Sequence, residues 1–212
     1  MLTAIIDYES GNLHSAEKAF QRMAAETGAG TAVVTADPDV VARADRVVLP
    51  GDGAFPHCAA ELRGHSGLMD ALREAVEIKA RPFMGICVGM QLMATTGHEY
   101  EETEGLRWID GDVVKITPED PKLKVPHMGW NDLVIDRPHP LFDGIATGDH
   151  VYFVHSYHLR PANPADLMAH VDYGSDVTAV VGHGTRLGLQ FHPEKSASTG
   201  LRMIANFLTW AP

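Results

Sequence analysis

The chain has 212 residues and only two cysteines, Cys58 and Cys87. Two thiols cannot build a disulfide framework, and a reducing compartment keeps both free. Basic residues are also scarce: 17 Lys and Arg face 28 Asp and Glu, for a formal charge of -11. That balance excludes a general basic surface for nucleic acid. Long apolar runs are missing, so no segment approaches the length that spans a bilayer. The opening MLTAIIDYES lacks a basic region, an apolar stretch and a cleavage site, and reads as a first strand rather than a signal peptide. What remains is the profile of an ordinary globular protein, 45% hydrophobic and 21% charged. The expectation is a single cytoplasmic domain over 1–212, large enough for one sizeable core.

Apolar runs of two kinds alternate along the first half. Leu2–Asp7, Thr31–Thr35, Arg46–Leu49 and Pro82–Ile86 are short and rich in branched residues, as buried strands are. Asn12–Glu26 carries Leu13, Ala16, Phe20 and Met23 at helical spacing, and Leu68–Lys79 repeats the pattern. A further helix is expected over Gly89–Ala94. Strands alternating with helices imply an α/β fold with a doubly wound, mostly parallel sheet. The second half reads differently. Arg107–Ile116, Gly129–Ile135, Val151–Leu159, Leu167–Asp172, Val177–Gly182 and Leu187–His192 are strand-like with little helix between them. They are expected as antiparallel additions to the same sheet, closed by a helix over Leu201–Trp210.

One cysteine sits where packing alone would not put it. Gly85-Ile86-Cys87-Val88-Gly89 follows a strand and opens a helix, the pattern of a nucleophile elbow. Glycine on either side gives room for a sharp, strained turn. The turn holds the sulfur at the C-terminal edge of the sheet, where open α/β sheets bind ligands. Cys58 lies in the helical stretch FPHCAAEL without flanking glycines and reads as a small core residue. A nucleophilic thiol needs a base, and the base needs an orienting group. Leu189-Gln190-Phe191-His192-Pro193-Glu194 offers both at the end of an apolar strand, with Pro193 restricting the backbone between them. Taken alone, His192 is one of 12 histidines and Glu194 an ordinary loop charge. A third stretch, RVVLPGDGAF from Arg46 to Phe55, ends a strand in Pro-Gly-x-Gly and exposes backbone amides near the same edge. His150, His155 and His158 do not form a metal site on strand spacing, because His155 and His158 face opposite sides. No metal and no cofactor are expected.

GICVGMQ and FHPEKS, in that order, resemble the two signature motifs of the class I glutamine amidotransferases. The resemblance implies a flavodoxin-like α/β domain with a Cys-His-Glu triad: Cys87 as nucleophile, His192 as base and acid, Glu194 as its orienter. It implies an oxyanion hole shaped by Gly51, Asp52, Gly53 and Val88, and glutamine contacts from Gln91, Ser156 and Tyr157. Within that family, LPGDGAF, KVPHMGWN, YFVHSYH, DYGSDVTAVV and GLQFHPEKSASTGLRMIANFL resemble the glutaminase subunits of imidazole glycerol phosphate synthases. That likeness implies a heterodimer with a cyclase subunit, a (β/α)8 barrel that receives ammonia. Gly11, Asn12, Pro126, His127, Met128, Gly129, Trp130, Asn131 and Lys195 would face it. Asp52 stands where the family usually has a small apolar residue, and Glu9 where it often has glycine. Two other readings stay open: a glutaminase for an anthranilate or carbamoyl phosphate system, and a silent subunit that only binds a partner.

Overall fold

A computed structural model describes residues 1–212. The first half alternates as its apolar pattern requires: β1 (Leu2–Ile6), α1 (Leu13–Thr27), β2 (Thr31–Thr35), α2 (Pro38–Arg43), β3 (Arg46–Gly51), α3 (Phe55–Gly64), α4 (Leu68–Arg73), β4 (Phe83–Cys87) and α5 (Val88–Gln91). α4 runs on into a π-helical turn over Glu74–Ile78, so the expected helix from Leu68 is present but changes pitch. The helix expected over Gly89–Ala94 is a single turn, because the chain bends away into loops after Leu92. The second half adds β5 (Thr96–Gly97), β6 (Thr103–Glu104), β7 (Gly111–Lys115), β8 (His127–Asp132), β9 (Val134–Ile135), β10 (His150–His155), β11 (Tyr157–Pro161), β12 (Leu167–Asp172), β13 (Asp176–His183), β14 (Arg186–Leu189) and α6 (Ala197–Thr209).

The main sheet has eight strands in the order β2-β1-β3-β4-β14-β13-β12-β9. β2, β1, β3, β4 and β14 are parallel, and β13, β12 and β9 continue the sheet antiparallel. The expectation that all later strands are antiparallel additions therefore needs correcting. β14 returns from its tight hairpin with β13 to lie parallel to β4, in the middle of the sheet. Six other late strands leave the sheet altogether. β10 pairs with β8 in a two-stranded sheet, and β11, β7, β5 and β6 form a four-stranded one.

The strand expected over Val151–Leu159 is thus two strands broken at Ser156. Its halves cannot continue one ladder because they pair with different partners. The Ser156 carbonyl instead accepts from the Ile116 amide at 2.9 Å. The main sheet is covered on both sides, which is why β3 and β4 are buried at every position. Phe20 of α1 and Phe207 of α6 meet edge to face with centroids 6.4 Å apart, tying the first and last helices together. No helix is long and apolar enough to cross a membrane.

Candidate active site

Three neighbouring parallel strands deliver their ends to one place. In register, Gly51 of β3 lies beside Cys87 of β4, and Ile86 beside Leu189 of β14. Loops leaving β3 and β14 therefore flank Cys87. Cys87 itself has φ 55° and ψ -113°, a left-handed conformation rare for a residue with a side chain. The glycines explain how the turn closes. A Cβ on Gly89 would collide with the Leu49 carbonyl, and one on Gly85 would run into the backbone of Gly89. β3 and the elbow are packed backbone to backbone, with no room for a methyl group.

His192 and Glu194 fall where their motif places them. His192 caps a 3-10 turn over Pro193–Lys195, and its Nδ1 lies 2.9 Å from Glu194 Oε1. Cys87 lies near the imidazole, close enough to act on its charge. Both side chains of the His192–Glu194 pair are almost fully buried, and Glu194 Oε2 has no other partner. Burial opposes charge on this imidazole, but the hydrogen bonds and charges of Cys87 and Glu194 outweigh it and raise its pKa to about 10. His192 thus has the Glu194 carboxylate and the Cys87 sulfur as its two polar neighbours. Ser196, fully buried, fixes the loop. Its hydroxyl donates to the His192 carbonyl at 2.6 Å and accepts from the Tyr152 amide at 3.0 Å.

A cavity of about 220 Å³ opens beside the sulfur, lined by Asp52, Gly53, Val88, Gln91, Ser156 and Tyr157 among others. Ligand pockets commonly span roughly 300–1,000 Å³, so this one suits a molecule of amino-acid size. Gln91 Nε2 donates to the Tyr157 carbonyl at 2.9 Å and to Gln190 Oε1 at 3.2 Å. Gln190, fully buried, points its own Nε2 at Cys87 Sγ, 3.8 Å away. The sequence reading gave no role to Gln190, Ser196, His155 or Glu99, though the last two also line the cavity. Gln190 and Ser196 lie in the stretch around His192, and no local pattern marks them as buried. Glu99 carried no local signal at all.

The loop after β3 is pinned by Ser10. The Asp52 amide donates to Ser10 Oγ at 3.2 Å, and Ser10 Oγ donates to the Asp52 carbonyl at 2.8 Å. Cys58 Sγ supports the same hydroxyl at 3.1 Å. Asp52 is exposed, so its carboxylate is not a buried negative charge at the edge of the site. Yet its amide, expected among the oxyanion donors, is occupied by Ser10 in this structure. Of the residues expected at a partner face, Pro126, Met128, Trp130 and Lys195 are exposed, and Gly11, Asn12, Gly129 and Asn131 are half-buried. His127 is buried, so its side chain does not reach that surface.

Two measurements follow from this geometry. Ser10→Ala removes the clamp on Asp52 and is expected to raise glutamine hydrolysis by the isolated chain several-fold. A drop would show that Ser10 holds the strand in its working form. Second, burial lowers the pKa of His155 to about 3 and of His158 to about 4. The unfolded chain takes up these protons near pH 6.5 and the folded chain does not, so stability falls on acidification. Between pH 7.5 and 5.5 each of the two costs about 1.4 kcal/mol. His127, also shifted down by burial, adds in the same direction. His192 has the opposite sign: its stabilisation is full below pH 6.5 and is lost as pH rises toward 10, so it offsets about one of them. Urea midpoints at the two pH values read the balance. An unchanged or higher midpoint at pH 5.5 would mean that these imidazoles charge in the folded state.

Comparison with known proteins agrees with this architecture. The family described as glutamine amidotransferase class-I matches residues 4–210. Imidazole glycerol phosphate synthase subunit HisH of Ruegeria pomeroyi is 78% identical over 212 residues, covering 100% of both chains. The protein of the same description from Cereibacter sphaeroides is 66% identical, again over the whole of both. Among solved structures, a glutamine amidotransferase superposes with a TM-score of 0.72 at 18% identity, covering 97% of this chain and 96% of its own. The structure of PurLQS from Thermotoga maritima gives a TM-score of 0.69 at 16% identity, covering 98% and 97%. These two are likenesses of fold alone. With the family match spanning nearly its whole length, the chain belongs to the class I glutamine amidotransferases.

Proposed function

We propose that this chain is the glutaminase subunit of an imidazole glycerol phosphate synthase, working in the cytoplasm as one half of a heterodimer. The observation that carries the chemistry is the buried line Cys87–His192–Glu194, with its 2.9 Å imidazole–carboxylate contact. The acceptor is inferred from the full-length relatives of that description, at 78% and 66% identity.

Glutamine fits the cavity with its side-chain amide toward Cys87. Glu99, in the cavity wall, complements the α-ammonium group. The Cys87 thiolate attacks the amide carbon, a C–S bond forms, and the carbonyl electrons move onto oxygen. Backbone amides of Val88 and of Gly51–Gly53 would hold that oxyanion, once Asp52 is released from Ser10. The His192 imidazolium gives its proton to the departing nitrogen, the C–N bond breaks, and a γ-glutamyl thioester remains. Neutral His192 then takes a proton from water, the resulting hydroxide attacks the thioester, and glutamate leaves as the thiolate reforms. Gln190 supports the sulfur, and Glu194 supports the imidazolium throughout.

Ammonia would pass to a cyclase subunit, a (β/α)8 barrel, and react with a phosphoribosyl-formimino intermediate. The products would be imidazole glycerol phosphate, on the route to histidine, and an aminoimidazole carboxamide ribotide. The surface supports a partner: Met128 and Trp130, both on β8, leave 63% and 54% of their area exposed. An unclamped Asp52 amide is worth having, since one oxyanion donor contributes about 3–4 kcal/mol of barrier lowering.

Glutamate release tests the reading in three mixtures: the chain alone, with the cyclase subunit, and with that subunit plus its nucleotide ligand. A rise of about a hundredfold or more is expected in the last. No rise, with both proteins folded, would assign the site to another acceptor or to none. A thiol-reactive glutamine analogue should label Cys87, and still do so in Cys58→Ala. Cys87→Ala should abolish hydrolysis with the fold intact, and residual hydrolysis would remove the thiol from the mechanism.

A further inference from the structure

Behind the cavity lies a chain of polar groups that the mechanism above does not use. His155 Nδ1 sits 2.8 Å from the Tyr157 carbonyl. A carbonyl only accepts, so Nδ1 carries the proton. His155 Nε2 is then bare, and it faces His127 Nδ1 at 3.1 Å. That contact requires the proton on His127 Nδ1 and leaves His127 Nε2 bare. Asn131 Nδ2 lies 3.3 Å from this nitrogen and can only donate to it. The amide orientation is fixed independently: Nδ2 also donates to the Asp172 carbonyl at 3.0 Å, and the Asn131 side-chain oxygen accepts from the Asp132 amide at 2.8 Å. A single carbonyl thus assigns every proton along the line.

Charging either imidazole would set N–H against N–H, and burial favours the neutral forms, with His155 lowered to about 3 and His127 to about 4. His127 has little freedom to turn. Its ring stacks on Phe153 with centroids 4.6 Å apart and lies 4.0 Å from that of Tyr173. The inner end of the line is the cavity wall. The Tyr157 carbonyl is shared with Gln91, which leads through Gln190 to Cys87. The outer end is β8, where Asn131 adjoins the exposed Trp130.

We propose that His127 and His155 are positioning residues, a neutral relay that ties the exposed face of β8 to the Tyr157 carbonyl and so sets the glutamine pocket. Pressure on Met128 and Trp130 from a partner moves the strand that carries His127 and Asn131. The hydrogen bonds transmit that movement to Ser156–Tyr157, where one strand ends and the next begins. The relay rests on the glutaminase reading for its substrate, but its protonation pattern does not.

Two experiments separate these. In the intact chain at pH 7, long-range ¹H–¹⁵N correlations should show both imidazoles neutral with the proton on Nδ1. A proton on Nε2 of either would overturn the relay whatever the enzyme's activity. In the complex, His127→Phe keeps the stacked ring and deletes both hydrogen bonds. It is expected to raise the KM for glutamine about tenfold, to lower kcat much less, and to shrink the stimulation by the partner. His127→Asn restores a donor toward His155 and should recover most of the KM. Wild-type kinetics in a folded His127→Phe, or an Asn variant as impaired as Phe, would reduce His127 to packing. A wild-type chain that neither hydrolyses glutamine nor labels at Cys87 would instead refute the glutaminase reading.

Discussion

The close approach of β3 to the elbow after β4 is the constraint on which the site depends. Gly51, Gly85 and Gly89 meet backbone to backbone, and a Cβ on any of them would press into its neighbours. Only that spacing lets Cys87 take its positive φ at the sheet edge while the Asp52 strand passes within reach of the sulfur. The parallel arrangement does the rest. β14 fills the slot on the other side of β4, so Gln190 and His192 emerge beside the thiol without any long connection.

Environment, rather than residue type, divides the histidines. His192 and His155 are both buried, yet one is driven toward the charged form and the other away from it. The difference lies in their partners. His192 sits between a thiol and a carboxylate whose second oxygen has no other partner. His155 faces a carbonyl and a second imidazole. A buried carboxylate with one partner makes the imidazolium worth its desolvation, because losing it would leave an uncompensated charge. A carbonyl and a bare ring nitrogen do not give that return. The same side chain is thus driven to opposite charge states in two buried places of one fold.

Ser10 and Cys58 show how a core packing layer reaches the chemistry. Cys58 reads in the sequence as a small buried hydrophobe, and it is buried. But its sulfur backs the Ser10 hydroxyl, which holds both polar groups of the Asp52 peptide. The flexible Gly-Asp-Gly run is therefore a pinned segment, with its pin on the loop after β1.

Local pattern was enough for the first half of the fold and for the elbow. The alternation of branched runs with helical faces, and glycines around Cys87, are properties of neighbouring residues, and they specify strand and turn and single out the cysteine between them. His192 and Glu194 stand out only through the resemblance of FHPEKS to a family motif, since taken alone they are an ordinary histidine and loop charge. The late strands were recognisable as strands, but not which sheet each would join, because period-2 alternation says nothing about the partner. The break at Ser156 is decided by two different partner strands, β8 and β7, and by nothing near Ser156 itself. The same holds for the His127–His155 contact, for Gln190 beneath the sulfur and for Ser10 on Asp52. Their separations of 28, 103 and 42 residues are closed only by the tertiary fold. The sequence by itself determined most of the elements and marked Cys87, His192 and Glu194 as candidates. Tertiary structure decided which buried polar groups would meet, since hydrogen bonds across the fold depend on registers that no local pattern encodes.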